Sequence, residues 1–203
     1  MVLKRTFDVA GALIGLVVTS PFVLLAAIAV KLESPGPAFY RGARVGLDGR
    51  PFNVIKLRSM RVGADREGPS VTVAADPRVT RVGRILRRSK VDELPQLINV
   101  VRGDMSLVGP RPEHPDYVRL FTPEQRAVLS VRPGITGPAA IAYIDEEALL
   151  SGDHAQTIYE RDLMPRKLAL DLDYIARHSF GGDLRILGRT AVVVAQRVIA
   201  KRP

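Results

Sequence analysis

The sequence contains no cysteine and no tryptophan, and only 5% of its residues are aromatic. Without cysteine the chain has no disulfide bond, no thiolate nucleophile and no cysteine-based metal centre. Its three histidines, His114, His154 and His178, lie far apart and lack the short spacing of zinc ligands, so we expect no zinc site. With so few aromatic side chains, the chain also lacks stacking platforms for single-stranded nucleic acids.

The charge of the chain is strongly positive. There are 30 lysine and arginine residues against 21 acids, which gives a formal net charge of +9 at pH 7. Such a balance implies an anionic partner, namely a nucleic acid, an anionic lipid surface or a phosphorylated substrate. Because stacking residues are scarce, we expect phosphate or membrane lipid and no nucleic acid. At 203 residues, the chain has the length of one domain with a sizeable core.

One long run, from Val9 to Val30, carries no charged residue and is long enough to cross a bilayer as a helix. Hydropathy alone favours a straight spanning helix, and a cleaved signal peptide is a further alternative. Ser20 and Pro21 stand at the middle of the run, where the proline removes a helical N–H and predicts a kink or a break. A central break with basic residues on both flanks suits a re-entrant helix that enters and leaves on one face.

A second informative stretch begins with two adjacent acids, Asp92 and Glu93. Apolar residues at helical spacing follow, so a helix is predicted to begin between Asp92 and Leu94 and to end at Gly103. Helix capping accounts for one acid at such a position. A second adjacent acid adds repulsion unless the two share a cation, so the pair is a candidate for chemistry as well as for capping.

The same stretch ends in a stiff segment, Gly109-Pro110-Arg111-Pro112. Pro110 has a fixed φ, and Pro112 disfavours a helical conformation at Arg111. An arginine on such a segment suits two-pronged binding of a phosphate or a carboxylate. The alternative is a rigid surface loop that carries a solvated arginine.

The remaining pattern predicts a small, helix-rich, mixed α/β fold. Strands are predicted at Phe39–Arg41 and at Phe52–Met60, and together they form a short β-hairpin. Alternation along the second strand places Lys56 and Arg58 on one face. That face is either part of a site or a solvated strand edge guarded by cations.

Amphipathic helices with basic faces make up much of the rest of the chain. Asp76 and Pro77 predict the start of one of them, in which arginines recur at helical spacing up to Arg87. Further helices are predicted at Pro165–His178 and at Asp183–Arg202. The arginine-rich helix lies on anionic lipid, binds a phosphate or presents an ordinary solvated face, and the last helix is either packed in the core or interfacial.

Two ordered motifs carry a resemblance to a known family. They are Asp92-Glu93-Leu94-Pro95-Gln96-Leu97 and Gly103-Asp104-Met105-Ser106-Leu107-Val108-Gly109-Pro110-Arg111-Pro112. The pair resembles the bacterial sugar transferase family, which comprises the small monotopic phosphoglycosyl transferases that begin glycan assembly on polyprenol phosphate. The resemblance implies a re-entrant membrane helix over residues 1–33, broken at Ser20-Pro21, and a cytoplasmic catalytic domain over residues 34–203. It also implies interfacial helices and a location on the cytoplasmic face of the bacterial inner membrane.

The resemblance further implies a reaction. A UDP-sugar would donate its phosphosugar to polyprenyl (undecaprenyl) phosphate and release UMP, as the first membrane step of glycan or exopolysaccharide synthesis. Asp92 would be the nucleophile that forms a covalent phosphosugar ester, and Glu93 would hold Mg²⁺. The remaining positive residues carried over are those that would neutralise phosphate charge: Lys56, Arg87 and Arg111.

Two positions remain open within this resemblance. Asp171 corresponds to a further functional acid of the family, although an exposed helix residue paired with a neighbouring base is an equal alternative. Pro138-Ala139-Ala140 departs from the family pattern, which prevents any inference about the sugar from that loop. The oligomeric state is also open, with a homodimer as one possibility.

A function of another class is compatible with charge and hydropathy alone. The chain would then be a non-catalytic, basic, membrane-anchored adaptor that binds anionic lipid or nucleic acid. That hypothesis leaves the paired acids beside the Pro-Arg-Pro segment without a role.

Overall fold

A computed structural model describes residues 2–68, 71–150 and 154–200. The strands are β1 (Phe39–Val45), β2 (Pro51–Leu57), β3 (Ser106–Val108) and β4 (Gly134–Thr136). The α-helices are α1 (Val2–Glu33), α2 (Arg81–Ser89), α3 (Leu97–Arg102), α4 (Pro115–Val118), α5 (Pro138–Ala142), α6 (Glu146–Leu149), α7 (Ala155–Ile158), α8 (Met164–Ala176) and α9 (Phe180–Ile199). Short 3₁₀ helices cover Leu47–Gly49, Ala64–Arg66, Val91–Gln96 and Gln125–Ser130, and a π-helical turn covers Tyr159–Leu163.

Helix α1 has 32 residues and is, within the described ranges, the one helix long and apolar enough to cross a membrane by length and composition. It runs through Pro21 as a single helix, so the break predicted at Ser20 and Pro21 is not confirmed. Pro21 has no N–H to offer the carbonyl of Val17, and the Ser20 hydroxyl donates to that carbonyl instead at 2.9 Å. A hydroxyl thus replaces the missing hydrogen bond, as serine and threonine hydroxyls do at prolines in membrane helices.

Both ends of α1 are attached to the rest of the chain. Near its start, the carboxylate of Asp8 is buried and accepts a hydrogen bond of 2.8 Å from the Ser106 hydroxyl. At its end, Glu33 accepts the backbone N–H of Val82 at 3.0 Å. Ala12 and Ala26 are buried in two different apolar clusters between these points. The helix therefore lies along the domain rather than projecting from it.

The predicted β-hairpin is confirmed. Strands β1 and β2 pair antiparallel, with Phe39 opposite Leu57 at the open end. Lys56 lies inside β2, whereas Arg58 lies just beyond it and is buried. Arg58 donates to the carbonyls of Ser34 and Pro35 at 2.9 Å each, so its role is to fix the turn that follows α1.

A second, parallel pair of strands was not predicted. β3 and β4 pair through Ser106 with Gly134 and Val108 with Thr136. Strands of three residues carry too little alternation to be recognised from sequence. Their pairing brings the segment after β3, which contains Arg111, next to the start of α5. The helix-rich, mixed α/β class is confirmed.

The basic helix starts later than predicted. It begins at Arg81, and the hydroxyl of Thr80 caps it by accepting the N–H of Gly83 at 2.9 Å. The expected start at Asp76 is wrong, because this carboxylate accepts both the backbone N–H and the guanidinium of Arg78 in a buried turn. The two C-terminal helices are confirmed as α8 and α9, while the predicted last residue of α9, Arg202, lies outside the described ranges.

Candidate active site

The adjacent acids lie in the 3₁₀ helix Val91–Gln96, which leads directly into α3. Lys90 precedes them in a left-handed conformation, with φ of 59°, and ends α2 with a sharp turn. The α-helix itself begins only at Leu97, because a 3₁₀ turn forms its N-terminal entry, as is frequent in proteins. Pro95 costs no helical hydrogen bond in this entry turn. The predicted end at Gly103 is confirmed by its φ of 97°.

Glu93 is the centre of a cluster of cations. Lys56 Nζ lies 2.9 Å from Glu93 Oε1, and Arg111 Nη2 lies 3.0 Å from the same oxygen. Lys90 Nζ is 4.0 Å away. The structure thus brings together an acid from the 3₁₀ helix, a lysine from β2 and an arginine from the stiff loop. These residues lie 37 and 18 positions from Glu93 in the chain.

Burial and neighbouring charges shift the pKa values of the two carboxyl groups in opposite directions. Burial alone would raise the pKa of Glu93, but Arg111 and Lys56 hold that pKa well below its usual range. Burial, and then the charge of Glu93, raise the pKa of Asp92. Burial also lowers the pKa of Lys56, against the opposing effect of Glu93. Burial and Glu93 thus oppose the ionisation of Asp92, while the charges of Lys56 and Arg87 favour it.

Asp92 has an unusual environment for a carboxylate. It is buried, with 4% of its surface exposed, and its Oδ1 has no hydrogen-bond partner in the described part of the chain. A buried, unsatisfied oxygen costs free energy and often marks a functional position. Asp92 lines a cavity together with Lys56, Arg87 and Arg111.

Arg87 reaches the same cavity from α2, but its partner is not one of the paired acids. Its Nε lies 2.9 Å from Oε1 of Glu147, a residue of α6, and its Nη2 binds the same oxygen. Its Nη1 donates to the hydroxyl of Ser59 at 3.4 Å. The arginine is therefore at the cavity wall and is already paired with a carboxylate.

Asp171 holds the loop that carries Arg111 in place. The two oxygens of this carboxylate accept the backbone N–H of Arg111 at 3.2 Å and that of Ala139 at 3.4 Å. Asp171 is 3% exposed, so the alternative of an exposed helix residue is wrong. Burial raises its pKa to about 7, although the two N–H donors oppose this shift. Asp171 thus joins the loop to the Pro138-Ala139-Ala140 segment where the chain departs from the family pattern.

Close backbone packing holds the loop from its other side. The N–H of Gly109 donates to the carbonyl of Thr136 at 2.9 Å, and the N–H of Gly134 donates to the carbonyl of Pro110 at 2.8 Å. A Cβ atom at Gly109 would lie 2.5 Å from the carbonyl oxygen of Arg132, so only glycine fits. The stiffness predicted for this segment therefore has a tertiary basis in addition to its prolines.

One wall of the cavity, formed around Lys167, was not predicted from the sequence. Lys167 Nζ, with 4% of its side chain exposed, lies 2.8 Å from Glu146 and 3.2 Å from Glu113, and it donates to the Tyr159 hydroxyl at 3.0 Å. Lys167 holds the pKa of Glu113 below its usual range, against the effect of burial. One signal was available: Lys167 and Asp171 are four residues apart on α8, so they share a helical face, and both prove to be buried.

The acidic pair fits a magnesium ion that is shared with a phosphorylated ligand. Among the described residues, no group of three or more His, Asp or Glu side chains is placed to hold a metal alone. Mg²⁺ is usually bound by one or two carboxylates, with substrate phosphates and water completing its shell. Asp92 and Glu93 supply two adjacent carboxylates, one of them with an unsatisfied oxygen.

Comparison with known proteins gives concordant matches. The family described as bacterial sugar transferase matches residues 1–197. A relative from Caulobacter vibrioides, named UDP-glucose:undecaprenyl-phosphate glucose-1-phosphate transferase, is 48% identical, with 92% of this chain and 67% of the relative covered. The exopolysaccharide production protein PSS of Rhizobium leguminosarum bv. phaseoli is 40% identical, with 95% and 94% covered. The undecaprenyl-phosphate glucose phosphotransferase of Komagataeibacter xylinus is also 40% identical, but the chain spans only 35% of its length.

These matches extend over nearly the whole chain and include both motifs of the cavity. The chain belongs to the bacterial sugar transferase family and is a transferase enzyme.

Proposed function

We propose that the protein transfers a phosphosugar from a UDP-sugar to polyprenyl phosphate, of which undecaprenyl phosphate is the bacterial form. The products are a polyprenyl-diphosphate sugar and UMP. This reaction would be the first membrane step of a bacterial glycan or exopolysaccharide. The names of the Caulobacter and Rhizobium relatives support the substrates and the role. The cation-rich cavity supports a phosphorylated donor.

The observation that carries the mechanism is the unpartnered Oδ1 of Asp92 in a cavity wall lined with cations. In the first step, a carboxylate oxygen of Asp92 forms a bond to the β-phosphorus of the donor. The bond between that phosphorus and the bridging oxygen breaks, and UMP leaves with the electron pair. In the second step, a phosphate oxygen of the lipid attacks the same phosphorus and releases Asp92.

Repulsion between a carboxylate and a diphosphate is the main barrier to such a step, and cations reduce it. Lys56 and Arg111 are held at the site by Glu93, with their positive groups about 3 Å from its Oε1. We assign Lys56 and Arg111 to the phosphates of the donor, and Arg87 to a substrate phosphate. Glu93, with Asp92 beside it, would hold Mg²⁺, which supplies additional neutralisation of diphosphate charge when bound.

A role for Asp92 as a general base is less consistent with the chemistry. The acceptor is a lipid phosphate, which is already an anion at neutral pH and needs no base to become a nucleophile. The raised pKa of Asp92 in the protein without ligands is relieved when a cation enters with the donor, because nearby positive charge favours the carboxylate.

The attachment of both ends of α1 to the rest of the chain, rather than a break in the helix, supports placing both ends on one side of the membrane. A 32-residue helix is about 48 Å long, so a straight spanning helix would leave one end far from a domain on the other side of the bilayer. Here Lys4 binds Asp183 at 2.7 Å near one end, and Glu33 binds Val82 near the other. We assign both ends to one side, the cytoplasmic face of the inner membrane, with residues 34–203 as the catalytic domain.

The exposed apolar residues support membrane contact from this side. Large apolar residues of α1, including Val17, Phe22 and Leu25, are more than half exposed. Ile85 on α2 and Val192 on α9 are exposed as well. These helices also carry basic residues, as interfacial helices do.

The proposal is tested by incubating purified protein in lipid nanodiscs with a panel of UDP-sugars, without lipid acceptor. We expect release of close to one equivalent of UMP and a gain in protein mass equal to a phosphosugar. Peptide mapping should locate that mass on Asp92, and added undecaprenyl phosphate should discharge it.

Asp92→Asn should abolish both signals. Asp173→Asn is the matched control, because it removes the same charge from an exposed ion pair with Arg177. If UMP appears only in the presence of undecaprenyl phosphate, and initial rates show a ternary complex, the covalent mechanism is wrong. If no UDP-sugar yields UMP under either condition, the proposed reaction itself is wrong.

A further inference from the structure

Arg87 is occupied by a carboxylate where a phosphate ligand is expected. Two of its nitrogens, Nε and Nη2, bind the single oxygen Oε1 of Glu147. The pair is not deeply buried, since 23% of the Arg87 side chain and 39% of the Glu147 side chain are exposed. A guanidinium that makes two contacts with one anion has fewer N–H groups left for another. A phosphate that approaches Arg87 must therefore compete with Glu147.

The Arg87–Glu147 pair also separates two cavities. The first, of about 170 Å³, is lined by the acidic pair, Lys56 and Arg111. The second, of about 480 Å³, lies between α2 and α9 and is lined by Arg84, Arg88 and Arg197. Arg87, Glu147 and Ile144 line both. The first cavity alone is smaller than the roughly 300–1,000 Å³ of typical ligand pockets.

Helix α6 itself is attached through charged side chains, and the core contact of this segment is made by Leu150, directly after the helix. Asp145, just before it, binds Arg197 of α9 at 2.8 Å, and Glu146 binds Lys167 of α8 at 2.8 Å. Glu147 binds Arg87 of α2. Three successive acids thus contact three different helices. None of the four residues of α6 is buried, so a shift of Glu147 exposes little apolar surface.

We propose that Glu147 is a displaceable counter-ion of Arg87, which a substrate phosphate replaces, and that its departure joins the two cavities. This inference rests on the proposed function. The carboxylate keeps Arg87 ordered and compensated in the free enzyme. A phosphate carries more negative charge and more acceptor oxygens than a carboxylate, so a bound phosphate displaces Glu147 from the guanidinium of Arg87. Displacement of Glu147 then connects the cavity at the acidic pair with the second cavity, between α2 and α9.

Two substrates carry such a phosphate, namely the nucleotide donor and the lipid acceptor. Competition by Glu147 lowers the apparent affinity for whichever phosphate binds Arg87, because only the fraction of protein with Arg87 free is competent. Removal of the charge at residue 147 should raise that affinity. Partly exposed ion pairs are weak, so the expected gain is roughly two- to fivefold.

The test compares Glu147→Gln with the wild type as full-length protein in nanodiscs. Equilibrium binding of UDP and of undecaprenyl phosphate is measured separately, and thermal midpoints are recorded for each protein. Asp173→Asn is again the charge-matched control, and Glu147→Asp is a second variant that keeps the charge but shortens the side chain.

We expect Glu147→Gln to bind one of the two ligands two to five times more tightly, while Asp173→Asn binds both as the wild type does. Tighter UDP binding assigns Arg87 to the donor, and tighter undecaprenyl phosphate binding assigns it to the acceptor. In turnover, KM for the same substrate should fall without a matching fall in kcat. Unchanged or weaker binding of both ligands by both Glu147 variants overturns the inference. Because binding is measured without turnover, this outcome is distinct from failure of the proposed reaction, in which the wild type releases no UMP.

Discussion

Substitution of Glu93 by glutamine should destabilise the fold as well as reduce activity. The carboxylate is 8% exposed and compensates Lys56 and Arg111, which both contact its Oε1. Glutamine keeps the shape but removes the charge, so the two cations face each other in a poorly hydrated site. Removing one partner of a buried ion pair costs about 3–5 kcal/mol. Because 31% of the Arg111 side chain stays exposed, we expect the lower end, about 3 kcal/mol.

For a chain of this length, that loss lowers the thermal midpoint by about 6–12 °C. The measurement is thermal unfolding of protein in nanodiscs, with Asp173→Asn as the matched loss of one exposed acid. A double variant, Glu93→Gln with Lys56→Met, removes one of the uncompensated cations. Its destabilisation should be smaller than the sum of the two single effects by roughly 1–3 kcal/mol.

A wild-type thermal midpoint for Glu93→Gln would refute the reasoning, and so would additive effects in the double variant. The prediction also affects how a metal is tested. Loss of activity in Glu93→Gln does not identify a Mg²⁺ ligand, because the substitution disturbs Lys56 and Arg111 at the same time. Chelation of the wild type, followed by rescue with Mg²⁺, tests the metal without that disturbance; full activity in excess EDTA would rule the metal role out.

Two further predictions concern Asp171 and α1. The folded protein retains the proton of Asp171 up to about pH 7, whereas an unfolded aspartate releases it near pH 4. Between these pH values the folded state binds more protons than the unfolded state, so the stability of the protein falls as the pH rises. The asparagine in Asp171→Asn does not titrate, so the thermal midpoint of the wild type should fall relative to that of the variant between pH 4 and pH 7. The corresponding loss in the free energy of unfolding is roughly 4 kcal/mol. Parallel pH profiles of the two proteins would contradict this prediction. For α1, cysteines introduced singly at Val2 and Arg119 should both resist an impermeant thiol reagent in intact cells and react after lysis, whereas labelling of Val2 alone before lysis would indicate a spanning helix. Pro21→Ala should shift the protein toward that spanning form.

Local sequence patterns predicted the elements that depend on local signals. The hairpin is confirmed because strand and turn residues are local signals, and the end of α3 is confirmed because Gly103 adopts a positive φ that glycine favours. The start of the basic helix was mispredicted at Asp76, since an aspartate before a proline has the same local signature in a cap and in a buried turn. The two cases differ in the contact with Arg78, two residues further on, whose guanidinium binds this carboxylate in the buried turn.

The residues of the site likewise differ in whether local sequence predicts them. Residues within recognisable motifs, such as Asp92 and Arg111, were identified in advance, and the structure brings Arg111 to within 3.0 Å of the neighbouring Glu93. The partner of Arg87 was not identified, because Glu147 lies 60 residues away in an acidic segment that reads as an exposed loop. Ion pairs between distant segments leave no periodicity in the sequence, so they are visible only in the fold.

The packing of α1 explains how the long apolar helix and the acidic pair are held close together. At Gly15, a Cβ atom would lie 3.1 Å from Leu97, and at Gly11 it would lie 2.9 Å from Leu107. These small residues let α3 and β3 approach the helix closely, and α3 continues directly from the 3₁₀ helix that carries Asp92. The acidic pair is therefore fixed near the middle of the apolar helix rather than at the far side of the domain. In the proposed reaction, the lipid phosphate approaches Asp92 from the side of α1, while the nucleotide donor enters the cavity from water.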